Sequence, residues 1–301
     1  MEENILLKEL TTFRIGGVAK YFCFANNREE ITEAIKWAKQ KNMPFFILAG
    51  GSNVLINDGK FKGVVIKMKN EKLKIENQNE KFKIIKAEAG VPLGKIVGLA
   101  LQNSLTGMEW AMGIPGTIGG AIYGNAGAFG KSMADVVEEI EVCRAQPSKK
   151  LGLSSGEDWA LQTFKNKECQ FGYRDSIFKR DKNLIILSVK IKLQTGDKAE
   201  IEKKMDNFFK IKKQTQPLEF FSAGSIFKNP EKLKVAELIE KAGLKGKRIS
   251  GAEISQKHAN FIVSNGRASA RDVKKLIDLI KKQVKKKFNI ILEEEIQYLN
   301  F

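Results

Sequence analysis

The spacing of apolar residues changes along the chain, and each change predicts a different element. Near the start, β-branched and aromatic runs flank a single helical pattern. Ala19–Ala25 (AKYFCFA) reads as a strand. Asn27 follows as a helix cap, with Glu30 three residues on. Ile31, Ala34, Ile35 and Ala38 then recur at helical spacing. A buried strand over Phe45–Ala49, a turn at Gly50-Gly51-Ser52-Asn53 and a strand over Gly63–Met68 complete a βαβ-like unit.

From about residue 70 to 213 strands dominate, at Phe82–Ala89, Val136–Arg144 and Leu184–Leu193. One helix, with Pro92 in its first turn, runs to about Asn103, and another over Ala199–Gln214 closes the region. The remainder reads as a compact α+β unit. Ser225–Pro230 is strand-like, and Lys232–Ala242 is a helix that Gly243 ends. His258–Ser264 is a strand. Ser269 and Asp272 cap a helix with an apolar stripe of Val273, Leu276, Ile277, Ile280, Val284 and Phe288. The tail from Ile291 to Phe301 reads as a last strand. Alternation there puts Glu293 and Glu295 on one face, and Glu294 with Leu292 and Ile296 on the other. The pattern predicts an α+β chain in three parts, 1–69, 70–213 and 214–301.

Charge and composition narrow the function. The 301 residues carry 52 Lys and Arg against 35 Asp and Glu, a formal net charge of +17. Such a field attracts polyanions, either nucleic acid or diphosphate-bearing small molecules. The lysines of the 274–288 segment fill the face opposite its apolar stripe, so most of this charge is a solvated surface. The 19 phenylalanines mostly sit in strand-like apolar runs, where a nucleic-acid binder would need exposed aromatics interleaved with lysines. No apolar run is long enough to span a membrane, and MEENILLKEL lacks the basic start of a signal peptide. A cytoplasmic protein is expected. Cys23, Cys143 and Cys169 form no C-x-x-C pair, and His258 is the sole histidine, so no metal site is expected.

The candidate chemistry lies in short motifs. Gly113, Gly116, Gly119, Gly120, Gly124, Gly127 and Gly130 crowd one segment, GIPGTIGGAIYGNAGAFG. Each glycine in regular structure costs roughly 0.5–1 kcal/mol of extra ordering entropy. The segment is therefore a tight packing loop or a bed for a cofactor. Gly50–Asn53 ends a buried strand, where free backbone N–H groups can cradle a diphosphate, although a plain Asx turn has the same residues. Neither stretch is a Walker loop or a GxGxxG fingerprint, and a flavin dinucleotide suits them better than ATP. Tyr173-Arg174-Asp175, Ser225 with Lys228 and Asn229, and Glu293–Glu295 place polar groups among apolar ones. By chemistry alone, the first two are better read as a surface ion pair between Arg174 and Asp175 and a turn hydroxyl at Ser225; the glutamates are a solvated edge strand, or one of them faces an active site.

In order, TTFRIGG, LAGGSNVLI, GIPGTIGGAIYGNAGAFG, FGYRDSIFK, SAGSIFKNP, KHANFIVSNG and LEEEIQ resemble the UDP-N-acetylenolpyruvoylglucosamine reductase family over nearly the whole chain. The resemblance implies a two-lobed FAD-binding domain of the vanillyl-alcohol-oxidase type, residues 1–69 and 70–213, and a C-terminal substrate domain, 214–301. FAD would contact Gly50, Gly51, Ser52, Asn53, Gly113, Pro115, Gly116, Ile118, Gly119, Gly120, Asn125 and Gly127. NADPH would reduce the flavin and leave. A UDP-linked enolpyruvyl amino sugar would take its place, accept hydride at the vinyl carbon and then a proton at the neighbouring carbon. Ser225 matches the family's proton donor, and Arg174 and Glu295 match the groups that polarise the carboxylate and stabilise the enolate. Tyr173, Lys228 and Asn229 would hold the substrate, with no nucleic acid, metal or membrane partner and a monomeric chain. Two departures stand out. The usual Leu-x-Pro-Glu-Val-Arg tail is Leu292-Glu293-Glu294-Glu295-Ile296-Gln297 here, which leaves Glu293 as a rival to Glu295. The short interval from Ser176 to Ser222 leaves no room for an extra substrate-clamping loop, as in the shorter subtype. Another flavoprotein oxidase of the same fold is the competing reading.

Overall fold

The computed structural model describes residues 1–144, 160–231 and 233–301. The first part contains β1 (Glu2–Leu6), β2 (Val18–Ala25), α1 (Arg28–Gln40), β3 (Phe45–Leu48), β4 (Val54–Ile56) and β5 (Phe61–Met68). Strands order as β1-β2-β5-β3, with β2, β5 and β3 parallel and β1 antiparallel at the edge. The helix forms where the cap predicts. Asn27 Oδ1 accepts the Glu30 N–H at 2.8 Å, and Ile31, Ala34, Ile35 and Ala38 are its buried face.

The second part contains β6 (Leu73–Asn77), β7 (Phe82–Glu88), α2 (Leu93–Gln102), β8 (Leu105–Thr106), α3 (Ile118–Tyr123), β9 (Gly127–Ala128), β10 (Lys131–Ser132), β11 (Val137–Arg144), β12 (Ala160–Lys165), α4 (Ile177–Arg180), β13 (Leu184–Thr195) and α5 (Lys198–Thr215). Its antiparallel sheet runs β12-β11-β13-β7-β6, with β8 also on β13. Pro92 is the cap of α2 and lies outside its first turn. Within the glycine-rich segment, α3 forms where the pattern predicts only loop. Thr117 caps it, and Ile118 and Ile122 are fully buried.

The third part contains β14 (Phe221–Ser225), α6 (Val235–Lys241), β15 (Arg248–Ile249), β16 (Ala252–Ile254), β17 (Phe261–Ser264), α7 (Ala270–Phe288) and β18 (Gln297–Leu299). The sheet order is β14-β17-β16-β15. Ser269 and Asp272 form the expected capping box on α7, and Gly243 follows α6 with φ +76°. The predicted start of that helix at Lys232 lies outside the described residues.

Two expectations fail. Ser225–Pro230 is not a strand. The strand is Phe221–Ser225; Gly224, left-handed at φ +74°, lies in a register shift within it, and Ser225 pairs once more with Phe261 before the strand ends. The tail is not a continuous strand either. Only Gln297–Leu299 pairs, in parallel with β4 of the first part, and Glu294 bridges Phe227 alone. This crossing ties both ends of the chain together. Leu299 is buried with Leu7 and Val54, while Phe13, Ile15 and Leu55 are buried with the third part's Ile226 and Ile262.

Candidate active site

Gly50–Asn53 links β3 to β4 at the carboxyl ends of the parallel strands, where open α/β sheets place their ligands. Among the described residues, the N–H groups of Gly50, Gly51, Ser52 and Asn53 donate to no protein acceptor. Successive open backbone amides in a turn can form an anion-binding concavity. Against this turn lies the start of the glycine-rich segment. Ser52 Oγ donates to the Pro115 carbonyl at 3.1 Å, and a Cβ on Gly50 would stand 2.3 Å from Gly116 Cα. The two loops therefore meet backbone to backbone, and only glycine permits that approach.

Further along the glycine-rich segment, the polar backbone groups are engaged within the protein. The N–H groups of Ile118 and Gly119 donate to the carbonyls of Val91 and Ala89, and Gly120 donates to Thr117 Oγ1. Those amides are spent inside the protein, and the Ile118 side chain is fully buried. Asn125 and Gly127, expected at the cofactor, hold the Arg174 turn. Asn125 Nδ2 donates to the Gly172 carbonyl at 2.8 Å, and its Oδ1 accepts the Ala134 N–H. The Gly127 carbonyl accepts Arg174 Nη2 at 2.7 Å. Ser176 Oγ adds a third tie, donating to the Tyr123 carbonyl at 2.7 Å.

Arg174 is thus held on a tight turn, closed by Gly172 and Asp175, with its own φ at +55°. Its Nε lies 2.9 Å from Glu295 Oε1. The expected Arg174–Asp175 surface pair does not form, because Asp175 pairs with Arg180. Three consecutive glutamates reach three different cations. Glu293 meets Lys228 at 2.5 Å, Glu294 meets Lys281 at 2.8 Å, and Glu295 meets Arg174. The face shared by Glu293 and Glu295 in an ideal strand is lost because the segment is irregular. Glu293 is largely exposed, whereas Glu295 is enclosed. Of the two, Glu295 is the one set against Arg174 and away from solvent. Burial pushes its carboxyl above the usual range, even with Arg174, Lys179 and Lys228 pulling it down.

Backbone rungs set the segment that carries this carboxylate alongside the segment that follows Ser225. The Glu295 N–H donates to the Ile226 carbonyl at 2.8 Å, and the Lys228 N–H donates to the Glu293 carbonyl at 2.9 Å. Ser225 precedes the first rung, and its Oγ makes no hydrogen bond among the described residues. Tyr173 is exposed, and its hydroxyl accepts the Asn229 N–H at 3.3 Å, joining the Arg174 turn to the third part. Asn229 Oδ1 is engaged with the Val235 N–H at 3.0 Å, which leaves its Nδ2 for a ligand. Sequence reading missed Lys179. Its ammonium donates to the Arg174 carbonyl at 3.2 Å, and burial, then nearby Lys228, holds its pKa down.

A family model described as "UDP-N-acetylenolpyruvoylglucosamine reductase, C-terminal domain" matches residues 216–299, and one described as "FAD binding domain" matches 19–146. The UDP-N-acetylenolpyruvoylglucosamine reductase of Clostridium novyi (strain NT) is 39% identical over 297 residues, covering 99% of this chain and 91% of the relative. This chain belongs to the UDP-N-acetylenolpyruvoylglucosamine reductase family. The reductase of Caldanaerobacter subterraneus subsp. tengcongensis is 42% identical over 294 residues, 98% of this chain and 92% of that one. The crystal structure of the Thermus caldophilus reductase aligns at a TM-score of 0.79 and 32% identity, over 98% of both chains. This member is an FAD-dependent oxidoreductase with an FAD-binding domain and the family's C-terminal domain. The structure's own residues fit the cofactor. The four open amides of Gly50–Asn53 suit a pyrophosphate, and the left-handed Gly116 keeps a Cβ off Ser52 of the facing loop.

Proposed function

We propose that Arg174, Glu295 and Ser225 perform the reduction of a UDP-linked enolpyruvyl amino sugar to the lactyl ether of UDP-N-acetylmuramate. In this reading residues 1–69 and 70–213 carry FAD, and 214–301 carry most of the sugar nucleotide's contacts. FAD, when bound, supplies the hydride it takes from NADPH. The Arg174 guanidinium faces the substrate carboxylate and balances the negative charge that develops beside it. Glu295 holds that guanidinium in place, and its own enclosure keeps water from the pair. Ser225 Oγ, without a partner in the protein, donates the proton to the carbon adjoining the carboxylate. Lys228, Asn229 Nδ2 and the Tyr173 hydroxyl hold the diphosphate. In this reading the enzyme works as a monomer in the cytoplasm, where NADPH is at hand. Among the described residues no helix is long and apolar enough to cross a membrane.

The observation that carries this reading is the Arg174–Glu295 pair at 2.9 Å. It is assembled from a turn of the second part and the tail of the third, next to the open amides of the first. The test is the visible spectrum of the purified protein under anaerobic conditions. A flavin spectrum that bleaches with NADPH and recovers with the UDP-linked enolpyruvyl sugar is expected. A protein that takes up FAD and is reduced, but is reoxidised only by oxygen, would assign it to the oxidase alternative.

A further inference from the structure

Burial holds three lysines among the described residues below the ordinary lysine range: Lys67, Lys179 and Lys212. None of the three forms an ion pair with a carboxylate among those residues. Lys179 belongs to the Arg174 turn. The other two end on the two loops that face each other through Gly50 and Gly116. Lys67, at the end of β5, donates to the Ala49 carbonyl at 2.6 Å. Lys212, on α5 and only 4% exposed, donates to the Met112 carbonyl at 2.6 Å and the Trp110 carbonyl at 3.4 Å.

The choice of carbonyl is the informative feature. Ala49 immediately precedes Gly50, and Met112 immediately precedes Gly113. Each carbonyl therefore shares a peptide group with the first N–H of its loop. Neither the Gly50 nor the Gly113 N–H donates to a protein acceptor among the described residues. A trans peptide points its C=O and N–H in opposite directions, and the chain has no cis bond among those residues. An ammonium behind the carbonyl polarises the peptide and strengthens the N–H in front. The Lys212 ammonium also lies 5.7 Å from the centre of the Phe129 ring, but neither lysine has an anionic partner among the described residues. A desolvated ammonium without a counter-charge is costly to keep, and that cost falls when an anion arrives nearby.

We propose that Lys67 and Lys212 are the counter-charges for the pyrophosphate of the bound dinucleotide, acting from behind the two loops through the Ala49–Gly50 and Met112–Gly113 peptides. The inference rests on the placement of FAD on those loops. Both are positioning residues, since each reaches the ligand through a peptide group. Their charge would act on the phosphates and leave the isoalloxazine ring alone, and that difference supplies the test.

Flavin-stripped protein is titrated with FAD and with riboflavin, which lacks any phosphate, and the dissociation constants are read from flavin fluorescence. K67M and K212M are each expected to weaken FAD at least tenfold and to leave riboflavin within a factor of two. K67R and K212R restore most of the FAD affinity. The flavin-free methionine variants melt no lower than the unaltered protein, because an unpaired buried charge has been removed. K67Q and K212Q are read in the same way if a methionine variant does not fold, and K286M on the exposed face of α7 is the control. Equal weakening of FAD and riboflavin would overturn the proposal, since the lysines would then only shape the loops. Unchanged FAD affinity would overturn it as well. An unaltered protein that binds riboflavin as tightly as FAD would instead overturn the placement of the dinucleotide, and the proposal with it.

Discussion

Asn53 and Glu295 are bonded although 242 positions separate them in the chain. Asn53 Nδ2 donates to the Glu295 carbonyl at 3.2 Å, and the Gln297 N–H donates to the Asn53 carbonyl at 2.9 Å. The turn with the open amides thereby also fixes the backbone of the carboxylate that faces Arg174. Asn53→Ala should lower kcat about 10- to 100-fold, the scale of a small misplacement of a reacting group. Its effect on stability should stay near ~1 kcal/mol, the worth of one hydrogen bond. Steady-state kinetics and a urea melt on the same variant check both; an unchanged kcat would remove Asn53 from the placement of Glu295.

Ser225 is separable from flavin chemistry. Ser225→Ala leaves the Glu295–Ile226 rung intact, because that rung is backbone only. Reduction of the flavin by NADPH should proceed at the normal rate. Reoxidation by the enolpyruvyl substrate should slow by roughly 10²–10⁴-fold, the usual contribution of a positioned acid. Stopped-flow absorbance on the two half-reactions distinguishes them, and normal reoxidation would remove Ser225 from the proton-donor role.

Arg174 makes two fixed contacts, to Glu295 and to the Gly127 carbonyl, which only a planar fork serves together. Arg174→Lys should therefore slow reoxidation about 100-fold. It also weakens the chief cation that lowers the Glu295 pKa. The carboxyl then rises further, so an acid limb that reports ionised Glu295 moves to higher pH. The pH profile of the reoxidation rate is the readout; a limb that stays in place would show that Glu295 does not set it.

Lys212 makes a stability prediction with a definite sign. Burial pushes its pKa down to about 8 from the ordinary 10.5. Between those values the unfolded chain binds more protons than the folded one, so this group makes the flavin-free protein more stable as pH rises. Over that window the gain approaches ~3 kcal/mol, at 1.36 kcal/mol for each pH unit. Lys212→Met should lose this rise, seen as a smaller difference in urea midpoint between pH 7.5 and pH 10. A variant with the same pH dependence as the parent would contradict it.

Much of the architecture is local and was readable as such. Caps at Asn27 and Ser269, helical stripes at Ile31–Ala38 and Val273–Val284, and the strands around Phe45, Phe82 and Leu184 follow from neighbours a few residues apart. Side-chain period and cap chemistry are properties of a short window. Ser225 and Arg174 were visible because their motifs are contiguous, and Gly50–Asn53 because a strand end followed by small residues leaves amides open.

What depended on distant partners could not be read that way. No local signal says that Asn125 and Gly127 hold Arg174, or that α3 forms among glycines whose helix is stabilised by burial of Ile118 and Ile122. Glu293, Glu294 and Glu295 are equivalent as letters. They part only when β18 pairs with β4 and Phe227 bridges Glu294, because those rungs decide which carboxylate turns inward. Lys67 and Lys212 look like any other lysines in a chain of net charge +17, and burial alone distinguishes them. The sequence by itself determined the family and those elements whose caps and side-chain period are local. The tertiary structure decided which charges are desolvated and which groups meet, since solvation and through-space distance are set by the packed chain as a whole.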